Sequence, residues 1–214
     1  MDFGFLSEYW PYYTNGAWLT LQLSFFGVLF GTILGIGIAL LRISKIGILR
    51  VISSIYVEII RGTPMLVQIV IIYYGLTNFG INLPAFTSGV IALTINSAAY
   101  MAEVFRAGIN AIDKGQNEAA RSLGMTHGMA LRHIVLPQAF RNMLPAIGNE
   151  FIVIIKDSSL VSFIGIAELM YNTNTVSSNT YLSFEPLLVV AAVYFVMTFT
   201  LSKLLSLLER KLSA

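Results

Sequence analysis

The chain has 214 residues, of which 56% are hydrophobic and 11% charged, with a net charge of +2 at pH 7. A mean hydropathy of +0.76 excludes an ordinary soluble globule and points to an integral membrane protein. The small net charge gives no nucleic-acid signature, and the lack of cysteine removes disulfides and thiolate metal sites.

In chain order, the start M-D-F-G-F-L-S-E-Y-W is acidic and aromatic without a basic stretch, so no cleavable signal peptide is expected. Tyr9, Trp10, Tyr12, Tyr13 and Trp18 read as an interfacial belt. A first span is expected over residues 18–41, roughly 36 Å of uncharged helix. Gly27, Gly31 and Gly35 recur every four residues on one face, where they allow close helix contact. A second span, 51–76, is interrupted by Gly62-Thr63-Pro64, which should disturb it. A third is expected over 85–105, a fourth over 144–166 and a fifth over 187–208. Between the last two, residues 171–183 read as a polar loop. The fold class is therefore an all-α membrane protein with five transmembrane helices, a single domain over 1–214.

Eleven of the thirteen Lys and Arg residues fall in the loop after the first span, in the polar region 106–141, or in the C-terminal tail. The positive-inside rule then puts the N-terminus outside and both the polar region and the C-terminus in the cytoplasm.

That polar region holds Glu118 to Pro137, E-A-A-R-S-L-G-M-T-H-G-M-A-L-R-H-I-V-L-P. Residues 118–123 suit a short helix. Gly124 can adopt the left-handed conformation that ends it. Thr126 can cap a second short helix, which Pro137 should stop or kink. Both histidines, His127 and His133, lie here, so a histidine metal site within the membrane is not expected.

A charge at the bilayer centre costs about 2.5–3.5 kcal/mol and needs a partner or a wet cavity. Asn96, Tyr100 and Glu103 share one face of the third span. Arg61, Thr63 and Gln68 flank the break in the second. Lys156, Asp157, Ser158 and Ser159 close the fourth. Such residues can simply bond helices together. Yet charges of both signs beside helix-breaking sequence are also how transporters build solute sites. A solute with an ammonium and a carboxylate would find a partner for each. An ion-coupled secondary transporter could use the same charges. An intramembrane enzyme would need a paired carboxylate or a convincing Ser–Lys dyad, and neither is evident.

Glu118, Ala119, Ala120, Gly124, Ile134, Leu136 and Pro137 fill a Glu-Ala-Ala, Gly, Ile-x-Leu-Pro pattern. It resembles the cytoplasmic motif of ABC-importer permease subunits. The stretches E-I-I-R-G-T-P-M-L-V-Q, N-S-A-A-Y-M-A-E-V-F-R-A-G-I, G-Q-N-E-A-A-R-S-L-G and K-D-S-S-L-V-S look like the polar amino-acid group, the histidine, glutamine and arginine type. The resemblance covers nearly the whole chain and implies a methionine-permease-like fold in a prokaryotic cell membrane.

It further implies two permease subunits forming the pathway, a homodimer being favoured because one chain carries a complete polar set. A cytoplasmic ABC ATPase dimer would hold the ATP and Mg. An extracytoplasmic binding protein would deliver the amino acid, a basic one favoured and glutamine next. No cofactor is expected in this chain, which lacks a G-x-x-x-x-G-K-[ST] loop. The expected solute residues are Arg61, Thr63, Gln68, Asn96, Tyr100, Glu103, Asp157 and Ser158. Arg61 would take the carboxylate, and Glu103 and Asp157 the ammonium. The expected ATPase-coupling residues are Glu118, Ala119, Ala120, Gly124, Met125, His127, Met129 and Arg132, with the docking contact confined to the half after Gly124.

Overall fold

A computed structural model describes residue 1 and residues 3–213. The regular structure of the described residues is all helical, with no strand. Helix α1 spans Leu6–Arg42, α2 Gly47–Gly62, α3 Met65–Val70 and α4 Leu76–Asn78, the last two joined by a π-helical turn at Ile71–Gly75. Then come α5 (Ala85–Asn110), α6 (Lys114–Ser122), α7 (His127–Ala130) and, after a second π-turn at Leu131–Val135, α8 (Leu136–Asp157). A 3₁₀ segment, Ser158–Ile164, leads to α9 (Leu169–Thr180) and α10 (Glu185–Ser213).

Three helices, α1, α5 and α10, are each long and apolar enough to cross a membrane, and α2 with Met65–Asn78 makes a fourth if the bent pair is one span. Helix α8 does not reach that measure. It carries Arg141, Glu150, Lys156 and Asp157, which lower its apolarity.

The centre is a parallel pair. Gly27, Gly31 and Gly35 of α1 face Leu93, Ser97 and Met101 of α5, each four residues further along. The glycine spacing thus sets both the closeness and the register of the contact. Helix α8 closes this core, with Ile154 and Met143 buried beside Leu23, Leu93 and Met101.

Four expectations need correction. Helix α1 begins well before residue 18, at Leu6, so the aromatic belt lies on the helix itself. Tyr13 is buried inside the molecule against Leu169, Val176 and Val190 rather than at an interface. The expected loop 171–183 is mostly helix α9. Its start is capped by Glu168, whose carboxylate accepts from the backbone N–H groups of Met170 (2.9 Å) and Tyr171 (2.8 Å). It buries Leu169, Thr173 and Val176 along one face. Finally, Pro137 neither stops nor ends a helix. It lies in the first turn of α8, where its missing N–H costs least. The π-turn just before it shifts the bonding register, Leu136 N–H reaching Leu131 O.

Candidate functional site

The expected break in the second span is real. Thr63 and Pro64 are extended (ψ 143° and 135°), and the flanking helices diverge by 108°. A break leaves backbone carbonyls without partners. Gln68 supplies them. Its amide nitrogen donates to Ile60 O (2.7 Å), Thr63 O (3.1 Å) and Thr63 Oγ1 (2.8 Å). Its carbonyl oxygen accepts from Asn96 Nδ2 of α5 at 3.0 Å. Gln68 and Asn96, both buried, therefore hold the bend against α5. Thr63 Oγ1 also donates to Ile59 O, which leaves it little capacity for a solute.

Arg61 lies on the open side of this bend, its guanidinium 5.2 Å from the centre of the Tyr100 ring. That is cation–π distance. Arg61 makes no carboxylate pair among the described residues, so its donors remain available. Asp157 is half-buried at the end of α8.

Two expected solute residues are elsewhere engaged. Glu103 is held by two arginines. Arg42 pairs with one carboxylate oxygen, and Arg106 donates to both, at 2.5 and 3.2 Å. This cluster ties the end of α1 to α5 and occupies most of the acceptor capacity of Glu103. Ser158 is fully buried and donates to Ile155 O at 2.8 Å. It stabilises the helix end rather than facing a solute.

One carboxylate was passed over. Glu150 sits on α8 two turns before Asp157, on the same face. It is 7% exposed. Its Oε1 has no partner of good hydrogen-bond geometry among the described residues, and the Ser97 hydroxyl of α5 is the donor beside it. A buried carboxylate with no more than a hydroxyl beside it is costly, so its presence marks a place where a ligand or water belongs. The signal was in the sequence: a charge inside a span, seven residues from Asp157.

The cytoplasmic-motif region forms an elbow. Asp113 caps α6, its carboxylate accepting from Gly115 N at 2.6 Å. Gly124 is left-handed (φ 88°). Around it Gly124 N–H bonds to Arg121 O and Met125 N–H to Ala120 O, the pattern that closes a helix end. Thr126 Oγ1 then accepts from Met129 N and caps α7. The elbow was thus correctly anticipated at Gly124 and Thr126. Its first helix starts earlier than expected, at Lys114, and its second is not short, because α7 runs on through the π-turn into α8.

Exposure sorts the coupling residues. Glu118, Ala119, His127, Met129 and Arg132 are exposed, and Met125 is half-buried. Ala120 is 4% exposed and packs α6 down, which leaves it little surface for a partner. Leu123, not anticipated, is the most prominent apolar group of the elbow at 85% exposure. Glu118 and His127 flank a crevice of about 380 Å³ between α6, α7 and the ends of α1 and α5.

Known proteins share this architecture. The arginine transport system permease protein ArtQ of Bacillus subtilis is 39% identical over 100% of this chain and 98% of its own length. The putative glutamine transport system permease protein GlnP of Rickettsia bellii is 38% identical over 98% of each. A crystal structure described as an amino acid ABC transporter with histidines has a TM-score of 0.95 at 55% identity, over 99% of both chains. The MetNI methionine ABC transporter in an inward-facing form has a TM-score of 0.81 at 20% identity over 99% of both, a likeness of fold. Residues 27–214 match the model of the binding-protein-dependent transport system inner membrane component. The chain belongs to that family.

Proposed function

We propose that this chain is the membrane-spanning permease subunit of an ATP-driven amino-acid importer, and that the solute is a polar amino acid, a basic one favoured over glutamine. The observation that carries the substrate reading is the buried carboxylate of Glu150, with no cationic partner among the described residues and aligned on one helix face with Asp157. Glu150 and Asp157 face one arginine, Arg61, which favours a solute with a positively charged side chain, a preference reduced by Lys156 beside Asp157. Arg61 and Tyr100 would receive the α-carboxylate end. Gln68, Asn96 and Thr63 shape the bend that presents Arg61.

The topology fits this role. Five spans follow if α8 with its 3₁₀ extension crosses beside the four apolar candidates. The distribution of Lys and Arg then places the N-terminus and α9 outside and the elbow in the cytoplasm. Residues 1–214 form one permease domain. A second copy completes the pathway, because Glu58, Arg61, Thr63 and Tyr100 are exposed on the α2–α3–α5 side and polar groups at that depth do not face acyl chains. ATP and Mg are held by a separate ATPase, which the Glu118–Arg132 elbow contacts. A solute-binding protein delivers the amino acid to the outer face.

The test is solute-stimulated ATP hydrolysis by the complex reconstituted in vesicles with its ATPase and binding protein. With Glu150→Gln plus Asp157→Asn, stimulation by a basic amino acid should fall at least tenfold, about 1.4 kcal/mol of lost recognition. Basal hydrolysis should persist. Undiminished stimulation would remove these carboxylates from the solute site. Uptake that survives ATP depletion and collapses with the ion gradient would instead indicate a secondary transporter.

A further inference from the structure

Helix α10 stands apart from the bundle. It packs against α8 and α9 and barely touches α1. Between α1 and α10 runs an open slot of about 630 Å³, lined by Leu6, Trp10, Leu188, Ala192, Val193 and Met197 among others, all apolar. A second space of about 280 Å³ continues it inward between α1, α8 and α10, sharing Val196 and Met197.

Two features identify what fills the slot. The first is length. From Leu188 to Met197 it follows nine residues of α10, about 14 Å, which is close to one leaflet of a hydrocarbon core of about 30 Å. The second is charge. Glu185 lies one turn above Leu188 and Val189 on the same face of α10. It makes no hydrogen bond or ion pair among the described residues. The flanking chain, residues 1–41 and 157–202, contains no Lys or Arg at all. The mouth of an acyl-sized slot therefore carries an uncompensated carboxylate and an exposed aromatic, Trp10. Its complement is an amphiphile with an apolar chain and a cationic head.

We propose that the α1–α10 slot binds one amine-bearing phospholipid, its acyl chain between Leu6, Ala192 and Met197 and its ammonium against Glu185. Placing that lipid in the outer leaflet rests on the topology proposed above; the binding itself does not. A second copy of the chain is the poorer occupant, since the exposed polar face that needs one lies on α2, α3 and α5, with which α10 shares no extended contact. The bound chain would fill the seam and hold α10 to the bundle.

The test is native mass spectrometry of the permease–ATPase complex, stripped of lipid in detergent and re-equilibrated with equal phosphatidylethanolamine and phosphatidylglycerol. One phosphatidylethanolamine per permease copy should be retained in preference. Ala192→Trp, on an exposed position, should abolish that retention, and Phe195→Trp, outside the slot, should not. Glu185→Gln should leave an acyl chain bound but lower the preference about two- to fivefold. Equal retention of both lipids in the wild type, or retention unchanged by Ala192→Trp, would overturn the proposal. So would loss of the permease pair on Ala192→Trp, which would make the slot a subunit contact. Solute-stimulated hydrolysis measured on the same samples reports separately on the transport reading.

Discussion

Single residues decide how closely α1 and α5 approach. A Cβ on Gly31 would lie 2.6 Å from Ser97 Cβ and 3.2 Å from the backbone nitrogen of Ala98. Neither can yield by rotating a flexible tip, so the helices themselves must part. Overpacking of this kind costs about 1–3 kcal/mol. Gly37, on the same helix, has nothing within 4 Å of its added Cβ, and alanine there should be neutral or slightly favourable. Thermal unfolding of the purified permease should therefore show a clear drop in midpoint for Gly31→Ala and none for Gly37→Ala. Equal behaviour of the two would mean that the contact is slack. The triad of Arg42, Glu103 and Arg106 acts at the other end of the same interface. Its single negative charge is more than matched by two arginines, which makes Glu103 a poor partner for a solute ammonium.

Among elements, α9 is the one whose position depends on a buried carboxylate. Glu168 is fully buried and joins three helices: it caps α9, and accepts from Tyr194 Oη of α10 at 3.1 Å, while Leu169 N–H reaches Thr20 Oγ1 of α1. Lying outside the proposed spans, its carboxyl is pushed above the usual range chiefly by burial, against the pull of the Met170 and Tyr171 N–H groups. Glu168→Ala should destabilise the protein by about 1–3 kcal/mol through two orphaned N–H groups and a lost helix cap. Glu168→Gln, which keeps an acceptor, should cost less. Hydrogen exchange localised to residues 169–180 would read both, and protection unchanged in the alanine variant would refute the capping role. This helix also shows where the sequence was opaque. L-M-Y-N-T-N-T-V-S-S-N-T has no charge and little apolar content, and its buried face becomes visible only against Tyr13 and Val190. Capping at Gly124 and Thr126 was legible because both interactions are local. The partners of Glu103 were not, since Arg42 lies 61 residues away in the chain. The continuity of α7 into α8 was hidden for a third reason: the π-turn before Pro137 shifts the bonding there, and a helix can carry a proline internally, as α8 does again at Pro145.

At the scale of the whole molecule, the proposed function has the elbow pass movement to the spans, and its connections are unequal. Helix α6 is joined to α5 by a short link at residues 111–113 and ends at Gly124. Helix α7 runs without interruption into α8, which carries Glu150 and Asp157. A push on α7 would therefore travel along a continuous helix to the proposed solute carboxylates, whereas a push on α6 would turn about its ends. Contact with the ATPase confined to the half after Gly124 would suit that pathway. Yet the largest exposed apolar group, Leu123, stands on the other side of the elbow, and Met129 is 47% exposed on this one. Leaving Leu123 in water would forgo about 1.5–3 kcal/mol of available burial, so both halves are expected to contact the ATPase. Short-range crosslinking from Leu123→Cys and from Met129→Cys in the assembled complex should capture the ATPase in both cases. Gly124→Ala, forced into a conformation that costs alanine about 1–2 kcal/mol, should weaken the Leu123 crosslink more than the Met129 crosslink, because only the α6 side depends on that turn for its position. Capture from Met129 alone would restore the one-sided contact, and capture from Leu123 alone would place the load on α6 and remove α7–α8 as the direct route.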